Sequence, residues 1–548
     1  MIKKIDKCIN RIKKDKFLIA FIISYIAINI LFLTKFPFVH SDESWTSGLS
    51  RNIMESSSPS VTESFFDLYP RYPHAIKIIF QGLQIIFIKI IGYKVFSVRL
   101  ISLLFSGITL YFYYKVCKYI FEEKKTAIIA VVLLSLDIQY IYASHFARQE
   151  IVILFFLVVG LYYFFSRRLS RGESIESTEE SIGQSIGDGA GIKGDIVLGI
   201  IIGLSIGIHP NSFIIALTIA LMYLYNIIFT SKNLTLKNFI SYGITVGIFA
   251  LIFIGISISF NRNFFADYFN YGKEFGVDYL IITKITTIKY FYYKLYEGIS
   301  GTYYTPNIKL QFWIFGAAFA GTVLKLMRSI HKKNTIKSEK IIAIILAIVG
   351  INIGIIIIGR FNQTSIVFLF PFFYLLIVYF INDINLVYRR IIFVILTLIT
   401  LSNSVINIIP YMDSSYDRYL NEISKAVKKD QVVLANLNCD FYFENRKLHD
   451  YRNLDFLKKN NMDFKDYIAK YKIEYIIYPE EMDVIYKEKP RWDGLYGSLS
   501  YYEDMNKFLK ENCELIYQFE DKIYGMRIVR YINDRPWKIK IYKVKMTL

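Results

Sequence analysis

The chain has 548 residues, of which 54% are hydrophobic and 17% aromatic, with 65 basic against 46 acidic residues and a net charge of +19. With a mean hydropathy of +0.36, this excludes a disordered chain, a fibrous repeat and a small disulfide scaffold. The apolar residues also fall in long blocks, so the basic excess reads as membrane orientation rather than nucleic-acid binding, and Cys8, Cys117, Cys439 and Cys513 show no C-x-x-C spacing.

A spanning helix needs about 20 largely apolar residues, because in lipid only a helix satisfies its own backbone. The first such block, 17–36, follows a basic run from Lys3 to Lys16 and has no small-residue cleavage site after it. It reads as an anchored helix with a cytoplasmic N-terminus. Ten further blocks run near 97–120, 126–143, 150–166, 195–209, 210–229, 239–260, 309–328, 341–358, 364–381 and 391–409. The block at 75–93 contains Lys77, Gln81, Gln84 and Lys89, which a lipid-facing span would bury at a cost of about 3 kcal/mol per charge. It reads as an interfacial helix. Eleven spans then place the turns at 124–125, 167–171, 232–237, 328–340 and 389–390, all rich in Lys and Arg, inside. They also deliver the C-terminal part to the extracytoplasmic side. The expected organisation is therefore a membrane module over 1–410, with a low-complexity cytoplasmic linker at 171–194, and an extracytoplasmic mixed α/β domain over 411–548. In that domain strands are expected at 431–436, 473–478 and 524–531, and helices at 463–471 and 502–512. Cys439 and Cys513 would share that compartment.

Five polar clusters fall on the outer side of this topology. His40-Ser-Asp-Glu-Ser-Trp45 lies just past the first span, where one carboxylate could accept a proton from an attacking hydroxyl while its neighbour orients substrate or a metal. A solvated loop with an Asp helix cap is the competing reading. Arg148 and Glu150 lie where a helix re-enters the bilayer, and the planar fork of an arginine suits phosphate. Arg71 and His74 with Lys77, His209-Pro-Asn211, and Arg360 complete the set. The histidines show no H-E-x-x-H or other zinc spacing. Magnesium or manganese on Asp42 and Glu43 stays open, since hard oxygen ligands suit both. There is no Walker loop, no dinucleotide fingerprint and no G-x-S-x-G.

In order and spacing these motifs resemble the GT-C fold membrane glycosyltransferases, in the branch of protein O-mannosyltransferases, aminoarabinose transferases and Rgt-type lipopolysaccharide sugar transferases. The residues that carry the resemblance are Asp42-Glu43 after the first span, Tyr72-Pro73-His74 at the interfacial helix, the stretch from Arg99 to Gly107, and Arg148-Gln-Glu150. The resemblance covers about 15–230. The family's usual double proline after the interfacial cation is missing, so Arg71, His74 or Lys77 could supply the positive charge there.

The resemblance implies a plasma-membrane enzyme that moves a sugar from a polyprenyl-phosphate donor to an extracytoplasmic glycan, lipid or protein acceptor hydroxyl, with inversion. It makes Asp42 the base and Glu43 a residue orienting acceptor or metal. Arg71, His74, Arg148 and Arg360 would hold the donor phosphate, and Glu150 and His209 would position substrate. Tyr268, Tyr271, Tyr303 and Tyr304 would cover the cavity or form an interface belt. An oligosaccharyltransferase is one alternative, although its WWD motif is absent and the only Trp-Asp is Trp492-Asp493. A secondary transporter or lipid flippase is the other.

Overall fold

The computed structural model describes residues 15–172, 191–230, 234–273, 276–299, 302–331, 335–413, 415–524, 527 and 536–545. Most of the expected linker at 171–194, residues 173–190, falls outside them, as does most of the expected strand at 524–531.

Each of the eleven expected apolar blocks is helical. By length and composition, however, eight described helices can cross a membrane, or nine if one bent pair counts as a single span. The count of eleven is not reached. The first block forms α1 (Lys16–Ile30), whose 15 residues extend only about 22 Å at 1.5 Å per residue. The block at 126–143 is broken into α5 (Lys124–Leu136) and α6 (Ile138–Ser144), bent by 68°. The break has a chemical cause. Asp137 accepts the Gln139 and Tyr140 backbone N–H groups and so caps a new helix, while Tyr374 donates to its other oxygen at 2.6 Å.

Before that bend come α2 (Ser41–Ser56), α3 (Ile78–Ile91) and α4 (Val95–Phe121). The helix α3 carries the expected interfacial segment; Gln81 and Gln84 are buried on one side and Ile86 and Ile90 exposed on the other. Past the bend, α7 (Glu150–Gly172), α8 (Ile192–Ile206), α9 (Ser212–Tyr225) and α10 (Leu236–Phe260) continue the bundle. Gly199, Gly203 and Gly207 form a stripe at every fourth residue along and just past α8. A Cβ at Gly203 would lie 2.7 Å from the Phe249 ring of α10, so the missing side chains let the two backbones approach closely.

The chain then runs through α11 (Phe264–Lys273), α12 (Ile281–Glu297), α13 (Lys309–His331), α14 (Thr335–Ile358), α15 (Phe370–Asn382) and α16 (Leu386–Ile408). Beyond α17 (Tyr416–Ser424) it forms a five-stranded sheet from β1 (Val433–Ala435), β2 (Leu448–Asp450), β3 (Tyr475–Pro479), β4 (Cys513–Asp521) and β5 (Trp537–Val544). The strand order is β2-β1-β3-β5-β4. The β1 pairings with β2 and β3 are parallel, whereas β5 runs antiparallel to β3 and β4. Helices α18 (Phe464–Lys470), α19 (Glu481–Glu488) and α20 (Tyr502–Asn512) accompany the strands. Strands β2, β4 and β5 were not expected from the sequence. Cys439 and Cys513 are both free.

Successive side chains of a strand point to opposite faces, and here each face has its own core. Leu434, Ile476 and Tyr478 pack with Tyr451 and Met482. Val433, Ala435, Tyr475 and Ile477 pack with Phe38, Val39, Phe65 and Phe66 from the segments flanking α2. The sheet thus sits directly on the polar loop that follows α1. Further bonds hold it there: Arg51 donates to Asp440 at 2.7 Å and to the Phe443 carbonyl at 2.8 Å, and Asn453 accepts the N–H groups of Asp67, Leu68 and Tyr69.

Candidate active site

The site is built around the first turn of α2. His40 is its N-cap: the ring Nδ1 accepts the Asp42 N–H at 3.0 Å, and the His40 N–H donates to Glu43 at 3.0 Å. A neutral ring that accepts at Nδ1 carries its proton on Nε2, which faces Thr302 Oγ1 at 2.8 Å. Burial pushes the His40 pKa down to about 4, with the neighbouring Arg527 and Arg148 adding to the effect, so the ring is neutral at pH 7. Two carboxylates in the first turn also suit the positive end of the helix dipole.

Those two carboxylates have different fates. Glu43 is fully buried and grips Arg99 of α4 with both oxygens, at 2.7 and 2.8 Å. It also accepts the Ala147 N–H at 2.9 Å. The other Arg99 protons go to the carbonyls of Leu33, Pro37 and Phe38, which uses all five donors of the guanidinium. This corrects the expected role: Glu43 ties α1, α2, α4 and the 145–149 turn together and has no oxygen left for acceptor or metal. Asp42 is the carboxylate that remains accessible, its side chain 28% exposed. Its Oδ2 accepts from Arg148 Nη1 at 2.9 Å and from the Tyr303 hydroxyl, and its Oδ1 accepts no hydrogen bond from the described residues. Burial acts to raise its pKa, but His40, Arg148 and the Tyr303 hydrogen bond outweigh burial and hold the carboxyl well below its usual range.

Arg148 lies in the turn between α6 and α7. It donates to Asp42 and to Tyr303 Oη at 2.5 Å, and pairs with Glu150 at 3.2 Å. Glu150, expected to position substrate, here pairs with Arg148 and in turn accepts from Thr364 at 2.6 Å. Burial works against the Arg148 charge, but Glu150, Tyr303 and Asp42 more than restore it. Tyr303 stacks on the His40 ring with centroids 4.4 Å apart.

Arg360 and Arg148 act electrostatically on Lys77, and both act with Lys77 on His209. Burial, followed by Arg360, Arg148 and Arg71, pushes Lys77 down to about 8. Arg360 follows Gly359, whose φ of +73° favours glycine. His209 is buried, and its Nδ1 accepts the Asn211 N–H at 3.1 Å, which places its neutral-ring proton on Nε2. Burial, together with Lys77 and Arg360, depresses its pKa strongly.

Two expected phosphate ligands are placed differently. Arg71 spends its fork on Glu63, at 2.9 and 3.0 Å, and Glu63 is drawn down to about 2 by this pairing despite its burial. His74 is pushed to about 3 by burial and by Lys77. It is neutral at pH 7 and brings no charge, and its Nδ1 is buried without a partner. Of the three cations considered at the interfacial helix, Lys77 is the one grouped with Arg148 and Arg360. Sequence reasoning missed the site roles of Glu63 and Arg99. The sequence signal for both is a charge inside or beside an apolar helix, which demands a partner.

Among the described residues no group of three or more His, Cys, Asp or Glu side chains is assembled as a metal site. With Glu43 turned into the Arg99 pair, the Asp42–Glu43 pair does not converge on an ion.

Residues 78–174 match the family described as dolichyl-phosphate-mannose-protein mannosyltransferase. No curated protein matches the chain. Among solved structures, the oligosaccharyltransferase AglB of Archaeoglobus fulgidus, in complex with an inhibitory peptide and a dolichol-phosphate, is 14% identical with a TM-score of 0.50, over 88% of this chain and 72% of that one. The same organism's enzyme in complex with Zn and sulfate is 14% identical with a TM-score of 0.51, over 85% and 69%. ArnT from Cupriavidus metallidurans bound to undecaprenyl phosphate is 11% identical with a TM-score of 0.49, over 85% and 96%. The chain is a multi-pass membrane protein that is similar in fold to the A. fulgidus oligosaccharyltransferase and carries a segment of the dolichyl-phosphate-mannose-protein mannosyltransferase type over residues 78–174.

Proposed function

We propose that the protein transfers a sugar from a polyprenyl-phosphate donor to an acceptor hydroxyl on the extracytoplasmic face of the plasma membrane. The observation that carries this reading is the accessible carboxylate of the acidic pair, Asp42, ion-paired at 2.9 Å to Arg148, with Arg360 in electrostatic range of it and Lys77 in range of Arg148 and Arg360. The dolichol-phosphate held by the similar A. fulgidus enzyme supports a lipid phosphate as the donor's anionic group.

In this reading Asp42 takes the acceptor's hydroxyl proton on Oδ1. The acceptor oxygen attacks the anomeric carbon from the side opposite the phosphate. A new C–O bond forms with inversion while the anomeric carbon–phosphate oxygen bond breaks, and polyprenyl phosphate departs with that electron pair. Arg148, Arg360 and Lys77 stabilise the developing phosphate charge in place, with little reorganisation. Glu150 and Thr364 hold Arg148 in position, and His209 offers Nε2–H to a sugar or phosphate oxygen. No step passes through a metal. The sheet domain within 411–548 lies over the same site and, in this topology, on the outer side with it.

The test is to incubate the purified full-length protein with a panel of polyprenyl-phosphate sugars. One donor is expected to be consumed, releasing free polyprenyl phosphate. If no donor is consumed and the protein instead moves intact lipid across vesicles, it is a transporter.

A further inference from the structure

A second cationic cluster flanks Asp42 from the sheet side. Arg452 follows β2 and donates through Nε to Asp450 at 2.7 Å. Its guanidinium lies 4.5 Å over the Trp45 ring, one turn along α2 from Asp42, and its Nη2 is buried without a partner. Arg527 reaches the residue just before Asp42, with Nη2 3.2 Å from Ser41 Oγ, and donates through Nη1 to the Leu495 carbonyl. Its Nε too is buried without a partner, and among the described residues it forms no ion pair. Glu481 serves the Arg527 backbone N–H and the Tyr496 hydroxyl instead. The two guanidiniums act on each other, so that burial and Arg452 together depress the Arg527 pKa. Both also act on His40.

Asp450 and Glu481 both act electrostatically on Arg527, but among the described residues only Arg452 of the two is ion-paired, to Asp450. One N–H group of each guanidinium is buried without a partner, an arrangement that an anion would complete. The leaving phosphate already has Arg148, Arg360 and Lys77. The acceptor must approach the open Oδ1 of Asp42, and the sheet domain borders that approach. We propose that the acceptor carries an anionic group, a carboxylate or a phosphate, which Arg452 and Arg527 receive while Asp42 takes up the hydroxyl proton. This rests on the transferase reading and names the acceptor's chemical class.

The test measures binding to the full-length protein in nanodiscs, with saturating undecaprenyl phosphate present so that the donor cluster is filled. The probes are methyl glucuronoside, glucose 6-phosphate and neutral methyl glucoside at constant ionic strength. At least one anionic probe is expected to bind ten-fold or more tighter than the glucoside, and which one it is separates carboxylate from phosphate. Arg452→Gln and Arg527→Gln should each reduce that preference severalfold, and Arg452→Lys should retain most of it. Both Gln variants should still bind undecaprenyl phosphate, which checks that they are folded. Equal binding of all three probes to the wild type, or an anion preference unchanged in both Gln variants, would overturn the proposal. A wild type that consumes no donor would count against the transferase reading alone, because the binding comparison does not depend on turnover.

Discussion

Asp42 and Glu43 are adjacent in sequence and chemically alike, yet one turn of helix separates their tasks. Neighbours in a helix point about 100° apart, so Glu43 turns inward to Arg99 while Asp42 faces the cavity. The sequence shows an acidic pair after an apolar block but not which member meets a cation, since Arg99 lies 56 positions away. Removing one partner of a buried ion pair leaves an uncompensated charge and costs about 3–5 kcal/mol. Glu43→Gln is therefore expected to lower the thermal unfolding midpoint of the detergent-solubilised protein markedly, whereas Asp42→Asn should leave it near wild type. Lys77 supplies a pH signature. Its pKa is depressed to about 8 by burial and neighbouring cations, and a bound phosphate favours its charged form. Polyprenyl-phosphate affinity should thus hold between about pH 7, above the phosphate's second pKa near 6, and pH 8, and weaken as pH rises further. In Lys77→Arg, whose guanidinium stays charged, titration of affinity against pH should show that decline removed.

At the level of elements, the sequence placed the helices well and judged their continuity less well. The break at Asp137 is a cap inside an apolar run, and period and hydropathy do not see caps that tertiary partners such as Tyr374 stabilise. The strand β5, Trp-Lys-Ile-Lys-Ile-Tyr-Lys-Val, alternates inward and outward over most of its length, a period of two that the strand expectations passed over. Its partner β4 buries little beyond Cys513 and offered no such pattern. The glycine stripe on α8 was likewise not among the sequence expectations. It fixes the approach of α10, and Gly203→Leu would force a side chain into Phe249. Overpacking of this kind costs about 1–3 kcal/mol, so the variant should unfold at lower temperature, and near-normal stability would show that the helix pair has room to separate.

For the whole molecule, the site exists because distant segments converge: the loop after α1, the 145–149, 207–211 and 359–363 turns of the bundle, the Tyr303 segment and the sheet domain. The gathering of outer-turn polar clusters could be read from charge placement along the sequence. The contribution of Arg452 and Arg527 could not, because it depends on how a domain some 400 residues downstream docks on Phe65 and Phe66. The net charge of +19 thus resolves in part into two cationic groups near one carboxylate, beyond the basic residues that orient the membrane helices. The measurement that tests this account most directly is sugar transfer by Asp42→Asn, from the polyprenyl-phosphate donor that the wild type consumes. The account predicts transfer reduced at least about 100-fold, the scale of a general base, with donor-phosphate binding and unfolding midpoint retained. Transfer at the wild-type rate would contradict it.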